Sequence, residues 1–375
     1  MFEEGIELGK IHGPENVFDL SLGNPLLEPP AEFRAEMARL VADESPNTHG
    51  YMPNAGFPEV RASVAEALAE ESGVPITGAE IMMTVGAAGG INTILRSILD
   101  PGDEVVLIAP YFAEYPFYVQ HQTGVIKTAT CDENWLPDIA SLESVIGPRT
   151  RALIINTPNN PTGVIYPEAS IDAIGAALQR AEEKHGTEIY LISDEPYRKL
   201  IYTDQPYPFI FKHHLRSIVA TSHSKDLGLA GERIGYLALN PDDPGKTDLM
   251  DALTFSIRTL GFVSAPALMQ RAVANIQRAT VDIDIYRRKR DLLYGALIDI
   301  GYECVKPGGA FYVFPKSPIP DDTEFVRQLQ KELVLVVPGV GFGTPGYFRA
   351  SYCVDDWVIE GSIAGFRKVF EQANG

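Results

Sequence analysis

The chain has 375 residues, 45% apolar and 22% charged, with 50 acidic against 31 basic residues and a formal net charge of −19. That length exceeds one ordinary core and predicts two unequal domains, while the surplus of acid repels nucleic-acid phosphates and anionic membranes and argues against either as a partner. The first residues carry acids where a signal peptide needs bases, no apolar run approaches the ~20 residues of a membrane span, and Cys131, Cys304 and Cys353 are too scattered for a disulfide framework or zinc site, so a cytoplasmic protein with reduced thiols and no metal is expected.

In chain order, Pro29-Pro30 opens a helix of the N-terminal segment, because proline suits a first helical turn. Residues 81–85, 104–109, 152–156, 188–193, 217–221 and 233–239 then form short apolar runs, each ending abruptly in polar or glycine-rich sequence. Runs apolar on both faces predict buried, mostly parallel strands. Helical stretches at 92–99 and 171–184 lie between them and stop at Asp100-Pro101-Gly102 and His185-Gly186. This alternation predicts an α/β domain with a central, mostly parallel sheet flanked by helices. A long helix at 282–300, a strand at 308–314 and a smaller α+β pattern follow. The expected division is a large domain of residues 45–281 and a small one of 1–44 with 282–375.

In open α/β sheets ligands sit at the carboxyl ends of the strands, so the residues there carry the functional information. After 81–85 comes Gly86-Ala87-Ala88-Gly89-Gly90. Small residues at a helix start suit a phosphate, or simply a tight strand-to-helix turn; the glycine spacing is not that of a dinucleotide fingerprint. After 104–109, Tyr111, Phe112 and Tyr115 offer a platform for a planar ring, or core aromatics. After 152–156, Asn159-Asn160-Pro161-Thr162-Gly163 is a rigid turn or an amide held for a ligand. After 188–193 comes Asp194, a carboxylate at the end of a buried strand, costly unless it meets a cation. A helix cap is the alternative, which Pro196 restricts. After 217–221 comes Ser222-His223-Ser224-Lys225 and an apolar, glycine-rich stretch leading to Arg233. A lone lysine is commonly solvated; buried there, it would have a depressed pKa and be nucleophilic. Arg233 could offer a planar fork to phosphate.

These five strand ends in this order resemble the class I/II aminotransferases, fold type I enzymes of pyridoxal 5'-phosphate (PLP) that include aspartate aminotransferase. The resemblance spans residues 18–350 and rests on Asn159-Asn160-Pro161-Thr162-Gly163, Asp194 with Tyr197, and Ser222, Ser224 and Lys225 with Arg233. It implies that Lys225 forms the Schiff base to PLP and shuttles the proton, and that Asp194 pairs with the pyridine nitrogen. Asn160 and Tyr197 would bond the ring's phenolic oxygen, and Phe112 would stack on the ring. Gly86, Ala87, Ala88, Ser222, Ser224 and Arg233 would hold the phosphate. Tyr51 matches a tyrosine that reaches the phosphate from a neighbouring subunit, which implies a homodimer with shared sites. Arg349 matches the arginine that grips the substrate α-carboxylate, with Gly23 and Asn160 beside the substrate. His223, on the alternate face of its strand, receives no role.

The activity so implied is ping-pong transamination between an L-amino acid and a 2-oxo acid. The same residues also serve PLP-dependent C–S β-lyases and decarboxylases. A PLP-binding regulator would carry a further N-terminal DNA-binding domain; the aminotransferase pattern begins by about residue 18 and the net charge is −19, so a regulator is not expected. No second cation for a distal substrate carboxylate can be picked out: Arg258 and Arg287 exist, but nothing in the sequence places them in a pocket.

Overall fold

A computed structural model describes residues 2–375. Its first strands are β1 (Phe18–Asp19), β2 (Ile81–Thr84), β3 (Glu104–Ala109), β4 (Val125–Thr130), β5 (Thr150–Asn156) and β6 (Tyr190–Asp194). They are followed by β7 (Ser217–Ser222), β8 (Gly235–Leu239), β9 (Tyr312–Val313), β10 (Val334–Leu335), β11 (Val337–Pro338) and β12 (Phe348–Ser351). A seven-stranded sheet runs β2-β8-β7-β6-β5-β3-β4. The four pairings among β3 to β7 are parallel, while β8 runs antiparallel to both β2 and β7.

Side-chain alternation explains why the sheet is buried on both faces. Val106, Ile108, Leu153, Ile155, Leu191 and Val219 point into one layer, with Ile171, Ile174 and Leu178 of helix Glu168–His185. Their neighbours Val105, Leu107, Ile154, Ile192 and Ile218 point the other way, onto Ile91, Ile94 and Leu95 of helix Gly86–Ile98 and onto Leu249, Leu253 and Ile257 of helix Lys246–Thr259. Only β4, at the edge, is largely solvated, with Lys127 in its middle. Phe33 and Leu40 of helix Ala31–Val41 also bury in the first layer, so that helix packs on the large body.

A separate core gathers Leu20, Tyr286, Leu293, Phe311, Phe325, Val334, Phe348 and Phe366. Helices Ile283–Ile300, Asp322–Lys331 and Asp356–Asn374 enclose it with the three-stranded sheet β11-β12-β9. Strand β1 pairs in parallel with β10 and ties residues 18–19 to this C-terminal part.

Three local expectations differ from the structure. The helix placed at 92–99 starts at Gly86, because the small residues after β2 let it lie close on the sheet: a Cβ on Gly90 would come within 2.7 Å of Leu237. The strand placed at 308–314 pairs only at Tyr312–Val313, and the strand placed from 233 begins at Gly235. Arg233 itself takes the left-handed conformation, φ 55°. Among the described residues no helix is long and apolar enough to cross a membrane.

Candidate active site

A cleft of about 370 Å³ opens at the carboxyl ends of the parallel strands, between the sheet and the C-terminal part. Ten residues singled out by motif line it: Ala87, Ala88, Phe112, Asn160, Asp194, Tyr197, Ser222, Ser224, Lys225 and Arg233. Gly23 and Arg349 line it from the other side.

The floor is set by register. Asp194, the last residue of β6, stands opposite Asn156 of β5 and Ala220 of β7, so its carboxylate emerges in the middle of the sheet. It does not cap a helix. Asp194 Oδ2 accepts a 2.6 Å bond from the Tyr115 hydroxyl, while Oδ1 is buried with no partner. Burial raises its pKa to about 7, opposed by the Tyr115 hydrogen bond. Such a carboxylate is short of one cation, and a protonated ring nitrogen is the kind of group that fits.

Lys225 follows β7 and points back across the cleft. Its Nζ donates to the Gly23 carbonyl at 2.7 Å and lies 5.3 Å from the Phe311 ring centre. Burial lowers its pKa to about 8; Cys353 opposes this, while Arg349 and Arg233 reinforce it. A base and a nucleophile at neutral pH need this shift.

The phosphate-sized end is built from a close approach of two segments. Gly86 has φ 68° and faces Arg233 so closely that a Cβ there would lie 2.9 Å from Nη2. Arg233 is fixed by donating from Nη1 to the Ala230 carbonyl at 2.9 Å. Ser222 and Ser224 are joined hydroxyl to hydroxyl at 3.0 Å. Two hydroxyls, a guanidinium and the start of helix Gly86–Ile98 converge there, a donor set suited to a phosphate dianion.

At the opposite end Arg349 of β12 donates from Nη1 to Asn160 Oδ1 at 3.0 Å and from Nη2 to the Ser21 carbonyl at 2.6 Å. Its Nε is buried without a partner. Tyr312 and Phe342 flank the guanidinium, with ring centres 4.6 and 4.9 Å away. Asn160 is held by its own N–H donating to Asn156 Oδ1 at 2.6 Å, and Asn156 Nδ2 donates to the Asp194 carbonyl at 2.8 Å. Tyr197 meets the Tyr312 hydroxyl at 2.9 Å. Gly23 must be glycine here, since any Cβ would collide with the Tyr312 hydroxyl.

Two residues of the sequence reading fall outside the lining. Gly86 stands behind Arg233. Tyr51 is 96% exposed on a surface loop of this single chain. His223 faces away from the cleft: its Nδ1 lies 3.2 Å from Asp226 Oδ2 and its Nε2 3.4 Å from Gln277 Nε2. Arg287 pairs with Asp284 at 3.2 Å, and Arg258 is not in the lining.

The structure adds residues the motifs did not single out as site residues: Tyr115, Asn156, Tyr312, Glu114 and Tyr118. Tyr115 could have been inferred, since a buried carboxylate needs a donor and this tyrosine sits in the aromatic run after β3. Tyr312 comes from a distant segment and carried no local signal.

Residues 15–361 match the family described as aminotransferase class I and II. An aspartate/prephenate aminotransferase of Thermus thermophilus is 32% identical over 366 residues, covering 94% of this chain and 91% of that protein. A solved amino transferase structure from Eubacterium rectale superposes with TM-score 0.97 at 39% identity, over 100% of this chain and 95% of that one. The aspartate aminotransferase of Thermus thermophilus solved with maleate gives TM-score 0.86 at 30% identity, over 98% of this chain and 95% of that one.

Proposed function

The chain belongs to the class I and II aminotransferase family, whose members are PLP enzymes that move an amino group between an amino acid and a 2-oxo acid, and from that premise we propose how its residues divide the task. The observation that carries the assignment is the buried, half-partnered carboxylate of Asp194 in one cleft with Lys225, whose amine burial holds near neutrality. When bound, PLP supplies an electron sink for the charge that develops at the substrate Cα.

Asp194 would pair with the ring nitrogen and favour its protonated form, with the Tyr115 hydroxyl fixing the carboxylate's orientation. Tyr197 and the Nδ2 of Asn160 would donate to the ring's phenolic oxygen; Asn160 Oδ1 is already committed to Arg349, which leaves its amide nitrogen for this purpose. Phe112 covers one ring face. The N–H groups of Gly86, Ala87 and Ala88, the hydroxyls of Ser222 and Ser224 and the Arg233 guanidinium take the phosphate. Lys225 would hold the cofactor through its Nζ, and the same amine, near neutrality and aimed into the cleft, would serve as the base for the substrate Cα proton. Arg349 binds the α-carboxylate, whose charge answers the unpartnered Nε, and Gly23 leaves room beside it.

The working unit is a homodimer in which Tyr51 completes the partner's phosphate site, and its place is the cytoplasm. The large domain is residues 45–281, with helix Ala31–Val41 leaning on it; 1–44 and 282–375 form the small domain.

The test is a half-reaction. PLP-loaded enzyme given one L-amino acid and no acceptor should release one 2-oxo acid per site and no ammonia. Lys225→Ala should release none. Continuous release of ammonia or carbon dioxide would replace transamination with lyase or decarboxylase chemistry.

A further inference from the structure

The cleft contains three cations and two carboxylates, and one of the carboxylates has no task in the scheme above. Among the described residues, Lys225, Arg233 and Arg349 are the only Lys or Arg side chains lining it. On the proposed reading they are committed to the cofactor, its phosphate and the substrate α-carboxylate. Within one protomer's lining, no cation is left among the described residues to receive a second substrate carboxylate. Asp194 lies on the floor. Glu114 stands at the mouth, exposed to the open cleft.

The ordinary structural uses of Glu114 are not engaged. It precedes helix Tyr115–His121 in the N-cap position, yet its side chain makes no capping bond. Among the described residues it forms no ion pair; its one side-chain hydrogen bond is a 3.3 Å bond accepted from the Tyr118 hydroxyl. It stands beside a run of rings, Phe112, Tyr115 and Tyr118, with successive centres 5.4 and 6.4 Å apart. A carboxylate backed by aromatic rings is a setting that receives a cation.

Electrostatics point the same way. The cleft walls desolvate Glu114 and raise its carboxyl pKa; Tyr118, Arg349 and Lys225 only partly oppose this. The net charge of −19 draws cations toward the protein and disfavours anions.

Resting on the aminotransferase reading, we infer that Glu114 reads the substrate side chain and selects an amino donor whose side chain carries a positive charge, an ammonium or guanidinium. Arg349 holds the α-carboxylate at one end of the cleft, and Glu114 takes the cation at the mouth. A dicarboxylate would meet Glu114 instead of a partner. The Thermus thermophilus enzyme solved with maleate therefore shares the fold with this chain but not the side-chain selection.

The experiment is the half-reaction on the PLP-loaded enzyme with L-lysine, L-arginine, L-leucine, L-aspartate and L-glutamate, together with binding of the same compounds to Lys225→Ala by calorimetry. The cationic donors should lead in kcat/KM by about tenfold or more. Glu114→Gln should shrink the ratio of cationic to neutral donors about tenfold, and Glu114→Lys should turn it toward the dicarboxylates. Aspartate, glutamate or leucine leading in the wild type, or a ratio unmoved in Glu114→Gln, overturns the assignment and leaves the aminotransferase reading standing. No 2-oxo acid from any of the five overturns the assignment to Glu114, and none from the remaining L-amino acids as well overturns the aminotransferase reading too.

Discussion

Lys225 and Asp194 are ionisable groups whose environment moves them toward each other: burial brings the amine down to about 8 and the carboxyl up to about 7. Both shifts come first from desolvation, which disfavours whichever form is charged. The strand ends announced a lysine among small residues and a carboxylate after a buried strand; what the carboxylate lacked, and that Tyr115 supplies half of it, needed the fold. A consequence follows for cofactor capture. Only the neutral amine attacks the PLP aldehyde, so the second-order rate of capture by the apo-protein should rise about tenfold per pH unit at low pH and level off above pH ~8. Stopped-flow absorbance across this range measures it; a rate still climbing near the pKa of free lysine would mean that Nζ is solvated.

Elements bring these groups within reach by backbone contact more than by side-chain packing. Strand β8 lies between β7 and β2, with Gly235 opposite Ser222 on one side and Thr84 on the other. A Cβ at Gly235 would strike the Thr221 carbonyl and come 3.0 Å from Ser222 Cα and 3.1 Å from the Gly86 carbonyl carbon. Gly235→Ala therefore pushes apart the two segments that cradle phosphate. Overpacking of this kind costs about 1–3 kcal/mol, and PLP affinity should fall with it. Gly231, with nothing within 4 Å of its added Cβ, is the control: Gly231→Ala should stay within about 0.5 kcal/mol. Urea melts and PLP titration of both variants decide it. A similarly close contact explains why the helix after β2 was placed six residues late: three glycines among residues 86–90 are poor evidence of a helix in sequence, and packing on Leu237 selects it.

For the whole molecule, the proposed dimer bears on two strongly exposed aromatic residues. Tyr51 is 96% and Phe255 68% exposed. Asn54 donates to the Val263 carbonyl at 2.7 Å, which joins the Tyr51 loop to the turn bearing Phe262. The Phe262 ring lies 3.8 Å from the Cβ position of Gly89, in the helix that starts at the phosphate end of the cleft. A dimer with shared sites predicts complementation: Lys225→Ala and Tyr51→Ala chains, each impaired alone, should on mixing regain about a quarter of wild-type turnover, since random pairing makes half the dimers mixed and each of those has one intact site. No recovery would place each site within one chain.

The sequence by itself determined the alternation of buried strands and helices, and hence that function would lie at strand ends. Short runs apolar on both faces and abrupt polar stops are local properties, readable without knowing what packs on what. It also supplied the residue types suited to an aldehyde, a phosphate and a carboxylate. Only the tertiary structure decided the pairings across distance. Tyr312 meets Tyr197, Arg349 meets Asn160, Tyr115 meets Asp194, and Gly23 accepts from Lys225. It also left Glu114 facing the cleft with no cation. Those facts depend on contacts between segments far apart in the chain, and on which polar atoms folding leaves unpaired.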